Sequence, residues 1–224
     1  MLTICTISKK YDNELYDTLH SIYIQKKSLF KLILIVSYNN KNKNYLKIIE
    51  LIKLLKKNKI VVKHFVGKDK SIYDAMNIGL NNTKSSHILF LNAGDKFSGS
   101  NCTELINNEI LKEPKASHAF SILNKYKKNT WIRNSNKNLR QSLLAPNYTP
   151  PHQGFVAFLG KKKFKFSTKL GYNADSEWIA KYTRMKCVYH QKVIAIFKLG
   201  GISSAYDFKS TSFKLKNPSI KLMT

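Results

Sequence analysis

Hydrophobic positions change period along the chain, and the changes mark alternating elements. Leu2 to Ile7 is a short apolar run. From about Asn13 to Gln25, Leu15, Leu19 and Ile22 recur at helical spacing. Leu32 to Val36 is continuously apolar, as expected of a strand covered on both faces. Tyr45 to Lys57 reads as a helix with Ile48, Leu51, Ile52 and Leu55 on one side, and Ile60 to Phe65 as a strand. Ile72, Ala75, Met76, Gly79 and Leu80 form the stripe of another helix, and His87 to Leu91 a buried strand. This β-α-β-α-β-α-β order predicts an α/β fold: a Rossmann-like, mostly parallel sheet with helices on both faces.

Beyond Asp95 the pattern loosens. Asn101 to Lys112 reads as a helix, Ala116 to Leu123 and Gly154 to Leu159 as strands, and Ala174 to Met185 as a helix anchored by Trp178, Ile179 and Tyr182. Residues 124 to 150 are polar, and Pro146, Pro150 and Pro151 mark an irregular loop. We expect a single domain over residues 1–206, with halves at 1–97 and 98–206, and a basic tail at 207–224.

Candidate chemistry gathers where strands end, because open α/β sheets bind ligands at their carboxyl edge. His87 to Leu91 runs into Asn92-Ala93-Gly94-Asp95, which is also good turn chemistry. A strand-end Asp can hold a divalent cation against a diphosphate, since hard cations share carboxylate and phosphate oxygens. Ser71 and Asp74 have capping-box spacing, so Asp74 is either a cap or a ligand-facing group. Asp175 and Glu177 stand in the first turn of a helix, where the helix dipole favours acids.

Composition narrows the classes. The 224 residues are 43% hydrophobic, enough for a real core, with no internal repeat or Gly-rich linker. No apolar run is long enough to span a bilayer, and the chain begins on a strand without a leader-like segment. Cys5, Cys102 and Cys187 lack metal-ligand spacing and read as thiols in a reducing compartment. The formal net charge is +26, which points to an anionic partner or to compositional drift. Only Arg133, Arg140 and Arg184 are arginines, whereas nucleic-acid readers favour the planar guanidinium, so a lysine-rich nucleic-acid binder stays as the less favoured alternative, suggested by the charge alone.

Five segments in order carry a resemblance. They are Leu2 to Gln25, Asp69-Lys70-Ser71-Ile72-Tyr73-Asp74-Ala75-Met76-Asn77 with Ile88 to Asp95, Pro151-His152-Gln153, Asn173 to Trp178, and Ile194 to Ser204. Together they resemble family 2 glycosyltransferases, inverting enzymes of the GT-A fold that use nucleotide-sugar donors, and in particular bacterial polysaccharide-biosynthesis members. The resemblance implies donor contacts at Thr6, Ser8, Tyr11, Ser37, Asp69, Tyr73, Asp74, Asn77 and Asn92. It implies Mn²⁺ or Mg²⁺ on Asp95 and catalysis by Asp175, with Glu177 as the alternative base. His152, Gln153, Trp178, Gly200 and Gly201 would contact the acceptor or close the site. The implied partners are a nucleotide-sugar and a glycan or lipid-linked acceptor, with no nucleic acid. The implied location is cytoplasmic, peripheral at an anionic inner membrane face.

Two positions depart from the family pattern. Ser37 stands where the family carries an Asp that hydrogen-bonds the nucleobase, and Ala93-Gly94-Asp95 retains only the last acid of a pair. These departures keep a second reading open, a donor-binding pseudoenzyme or accessory subunit.

Overall fold

A computed structural model describes residues 1–26, 30–38, 43–135, 149–160, 162–171 and 174–199. β1 (Leu2–Ser8), β2 (Phe30–Val36), β3 (Val61–Val66) and β4 (His87–Phe90) alternate with α1 (Asn13–Tyr23), α2 (Lys43–Lys57) and α3 (Ile72–Asn82). β5 (Lys96–Phe97), α4 (Cys102–Lys112), β6 (Ser117–Tyr126) and β7 (Asn129–Arg133) follow. β8 (Phe155–Phe158), α5 (Ala174–Thr183) and β9 (Cys187–Lys198) complete the described elements.

Among the described residues, the strands join in one sheet of order β3-β2-β1-β4-β8-β6-β9-β5, with β7 paired to β6. β1 pairs in parallel with both β2 and β4, and β2 with β3, so their carboxyl ends share one edge. β8 enters antiparallel to β4, with Leu89 opposite Val156, and carries the sheet into the second half. β6 and β9 then run parallel, with register shifts around Ser121.

Strand alternation divides the core into two layers. Leu2, Ile4, Leu32 and Leu34 pack under Leu15, Leu19, Ile48 and Ile106, residues from α1, α2 and α4. Cys5, Ile7, Ile33 and Ile35 face the other way, toward Ala75, Met76, Trp178 and Tyr182 of α3 and α5. Helices on both faces are therefore a direct result of strands that are apolar on both sides.

The region expected to be an irregular loop at 124–150 differs in part. β6 continues to Tyr126 and turns back through Lys127 and Lys128 into β7. All five β7 residues are exposed, so no face of the strand had to be apolar and no alternation marked it.

Candidate active site

The Asn92–Asp95 turn is built from the end of β4 inward. Gly94 has φ +98, a left-handed conformation that suits glycine, and it swings Asp95 back under the sheet. Thr18 on α1 fastens the turn. Its hydroxyl donates to the Asp95 carbonyl at 2.7 Å and accepts from the Gly94 N–H at 3.0 Å. Asp95 is left 4% exposed, and burial pushes its carboxyl up to about 7, against the pull of His152, the Asn92 backbone and the Gln153 amide.

His152 and Gln153 reach this carboxylate from a 3-10 turn, His152–Gly154, that leads into β8. The turn lies hard against β6: a Cβ on Gly154 would stand 2.3 Å from the Phe120 carbonyl oxygen. Only glycine permits that approach. It sets His152 between two acids, with Nε2 3.9 Å from Asp95 Oδ2 and Nδ1 3.4 Å from Asp175 Oδ2.

Asp175 stands in the first turn of α5, where Oδ1 accepts from the Ser176 N–H at 2.8 Å. Burial pushes its carboxyl up, but the His152 hydrogen bond and charge, with the backbone N–H groups, bring it below the usual range. Burial pushes the His152 imidazole down, and Asp175 and Asp95 together raise it above its ordinary value. His152 therefore links the β4 turn to the α5 N-terminus.

Asn92 lies beside this link, its Nδ2 3.4 Å from His152 Nε2, and its Oδ1 is buried without a partner among the described residues. No three His, Cys, Asp or Glu side chains among the described residues could by themselves hold a metal ion. Asp95 with the unpartnered Asn92 oxygen does fit a cation that takes its other ligands from a diphosphate.

A second group occupies the ends of β1, β2 and β3. Ser37 donates to Asp69 Oδ2 at 2.6 Å, while Asp69 Oδ1 is buried without a described partner. Thus the acid absent from position 37 is matched by one arriving from the segment after β3. Ser8 is spent locally, donating to the Lys10 carbonyl at 2.7 Å. Tyr11 is buried, its hydroxyl 3.1 Å from His64 Nε2. Thr6 lies wholly inside the core with Oγ1 unpartnered among the described residues.

The remaining sequence candidates go elsewhere. Asp74 caps α3: its Oδ2 accepts from the Lys70 N–H, and its own N–H donates to Ser71 Oγ. Asn77 is committed twice to the Phe166 backbone, donating to its carbonyl at 3.0 Å and accepting from its N–H at 2.8 Å. Tyr73 stacks on the Phe166 ring, which also stacks on Trp178. Trp178 is 1% exposed and donates from Nε1 to the Phe164 carbonyl, a core position. Glu177 pairs with Lys181 one turn on. Gly200 and Gly201 lie outside the described residues.

Sequence reasoning missed Thr18, His64 and Phe166. Thr18 had a signal: it is a polar residue inside the Leu15–Leu19–Ile22 stripe. A cavity of about 490 Å³ lies along α4 by Lys192, apart from both groups.

No protein-family model and no curated protein matches the chain. Solved structures do. S. aureus TarS 1-349 superposes with TM-score 0.68 at 13% identity, over 88% of this chain and 60% of that one. Its complex with UDP-GlcNAc gives 0.67 at 13%, over 92% and 61%. The mannosyltransferase PcManGT from Pyrobaculum calidifontis, in complex with GDP-Man and Mn²⁺, gives 0.64 at 9%, over 96% and 62%. The chain therefore spans less than two thirds of these neighbours' length, and at such identities the likeness is one of architecture. The chain has the GT-A glycosyltransferase fold.

Proposed function

We propose that this chain transfers a sugar from a nucleoside diphosphate sugar to a glycan or lipid-linked hydroxyl, with inversion, in building a bacterial surface polysaccharide. The observation that carries the reading is the Asp95–His152–Asp175 link, which joins a donor-side acid to an acceptor-side acid at the sheet's carboxyl edge. The domain is read as the nucleotide-binding half 1–97 and the acceptor half 98–206, followed by the basic tail 207–224.

In this reading Asp69 and Ser37 receive the nucleobase and Asp95 with Asn92 faces the diphosphate. A divalent cation there, Mn²⁺ or Mg²⁺, supplies charge neutralisation to the leaving diphosphate. The acceptor oxygen forms its bond to the anomeric carbon from the face opposite the diphosphate, whose C–O bond breaks with its electron pair. The hydroxyl proton passes to Asp175. His152, 3.4 Å away, favours the ionised form of Asp175 and holds it oriented between turnovers.

Departures at Ser37 and Ala93-Gly94 support a second reading, an accessory subunit that binds donor without turnover. A thermal-shift screen of nucleotide-sugars with and without Mn²⁺, followed by a transfer assay, separates the two, because a ligand of the folded state raises its apparent stability. A metal-dependent shift with turnover is expected. A shift without turnover supports the accessory reading, and no shift with any donor removes both.

A further inference from the structure

Trp131 and Ile132 serve neither the core nor the site. They are 45% and 53% exposed. Other exposed large apolar side chains among the described residues have no exposed apolar neighbour in sequence. Here two adjoin on an edge strand exposed along its whole length. Neighbours on a strand point to opposite faces. Packing one face of the ribbon against a flat protein surface would therefore leave the other apolar side chain in water. A medium that surrounds the ribbon on both faces covers both.

The charge around this tip chooses the medium. Lys127 and Lys128 form the turn, and Lys125 stands opposite Thr130 on one side and Lys198 on the other. Like charges placed directly across a strand pair repel, so Lys125 and Lys198 together favour an external anion. Among the described residues none of these four lysines forms an ion pair, and the sequence holds no Asp or Glu between Glu113 and Asp175. Ile132 offers no face on which a nucleobase could stack, whereas lysine stems reach headgroups from a wedge of Trp and Ile.

We infer that the β6–β7 tip is a membrane-docking element: Trp131 and Ile132 enter an anionic bilayer interface edge-on, and Lys125, Lys127, Lys128 and Lys198 meet lipid phosphates. Trp is favoured at this depth because its ring is apolar and its N–H is polar. Arg133, on the same strand, donates from Nη2 to the carbonyl of Thr149, three residues before His152, so docking brings the candidate site toward the membrane plane.

The chain carries its own reporter. Of its two tryptophans, Trp178 is buried against Phe166 and Trp131 is at the tip. Whole protein is mixed with vesicles of phosphatidylcholine alone or with phosphatidylglycerol. Binding is expected only to the anionic vesicles, with a blue shift of emission and quenching by brominated acyl chains, both abolished in Trp131→Phe. The double variant Trp131→Ala/Ile132→Ser should weaken binding by about tenfold, with cooperative unfolding retained because neither side chain belongs to the core. Lys127→Glu/Lys128→Glu should do the same. No binding, unaltered binding by these variants, or no quenching would overturn the inference. So would quenching of Trp131 by single-stranded polynucleotide in place of vesicle binding, which would assign the tip to nucleic acid. None of these readouts requires a sugar nucleotide, so they stand or fall apart from sugar transfer.

Discussion

At the scale of single residues, the candidate site turns on which acid does what. Asp175 is held by His152 and the α5 N-terminus, whereas Glu177 is engaged by Lys181. A base acts in the transition state and contributes little to donor binding. Asp175→Asn should therefore lower turnover by about 10²- to 10⁴-fold with donor affinity unchanged by titration calorimetry. Glu177→Gln should keep turnover within a few-fold, and the reverse pattern would reassign the base. Asp69 makes the complementary case. Its Oδ2 is occupied by Ser37 and its Oδ1 is buried without a partner among the described residues. Asp69→Asn removes the charge but keeps the shape, so donor affinity should fall by about tenfold with kcat retained. A fall in kcat alone would place Asp69 outside the donor site. Asp95, Asp175 and His152 were legible in the sequence as strand-end, helix-start and loop residues. That His152 joins the other two was not, because the link depends on Gly154 lying against β6, a contact between segments far apart in the chain.

At the scale of elements, Asn77 shows how a site-like residue can be a fastener. Its amide is the tie between α3 and the strandless segment around Phe166, whose ring continues the stack to Trp178. Asn77→Ala leaves the Phe166 N–H and carbonyl without these partners, at a cost of about 1–3 kcal/mol, measurable by urea unfolding. Limited proteolysis should then cut first near residues 162–171. Unchanged stability would mean that the tie is replaceable by water. The first four strands and three helices were legible because each buries a stripe or an unbroken run, which local periodicity reveals. β7 and the full length of β9 were not. β7 is exposed throughout, and the apolar run of β9 is broken by Gln191 and Lys192 beside the register shifts against β6. The antiparallel entry of β8 was equally hidden, since no local pattern states the direction of a partner strand.

At the scale of the molecule, the second half of the sheet is sealed by imidazoles as well as hydrocarbon, and this makes stability depend on pH. His87 donates from Nε2 to the Ala116 carbonyl and accepts at Nδ1 from Ser86. His118 donates from Nε2 to the Glu113 carbonyl, so its Nδ1 accepts from His190 Nε2 at 3.1 Å. These assignments require His87 and His118 to be neutral, while His190 donates from Nε2 in either state and has Nδ1 4.0 Å from Glu109 Oε2. Burial pushes His87 and His190 down to about 4, with His118 adding to both, and it lowers His118 as well. Glu109 opposes the shift at His190, while Lys192 and Lys112 reinforce it. Because the folded values lie below the ordinary 6.5, the unfolded chain binds more protons across that window. The contribution of these three rings is therefore intact above about pH 6.5 and is lost as pH falls toward 4, while the raised Asp95 carboxyl and His152 imidazole act with the opposite sign over the same window. Urea titrations of the native sequence beside a histidine variant isolate the share of the rings. In His190→Phe, whose ring can keep the stack on Phe120, the slope should flatten while the plateau at neutral pH drops for want of the donor to His118. A slope in His190→Phe equal to that of the native sequence would mean that the His190 ring is hydrated, and would remove it from the account of what holds this half of the sheet together.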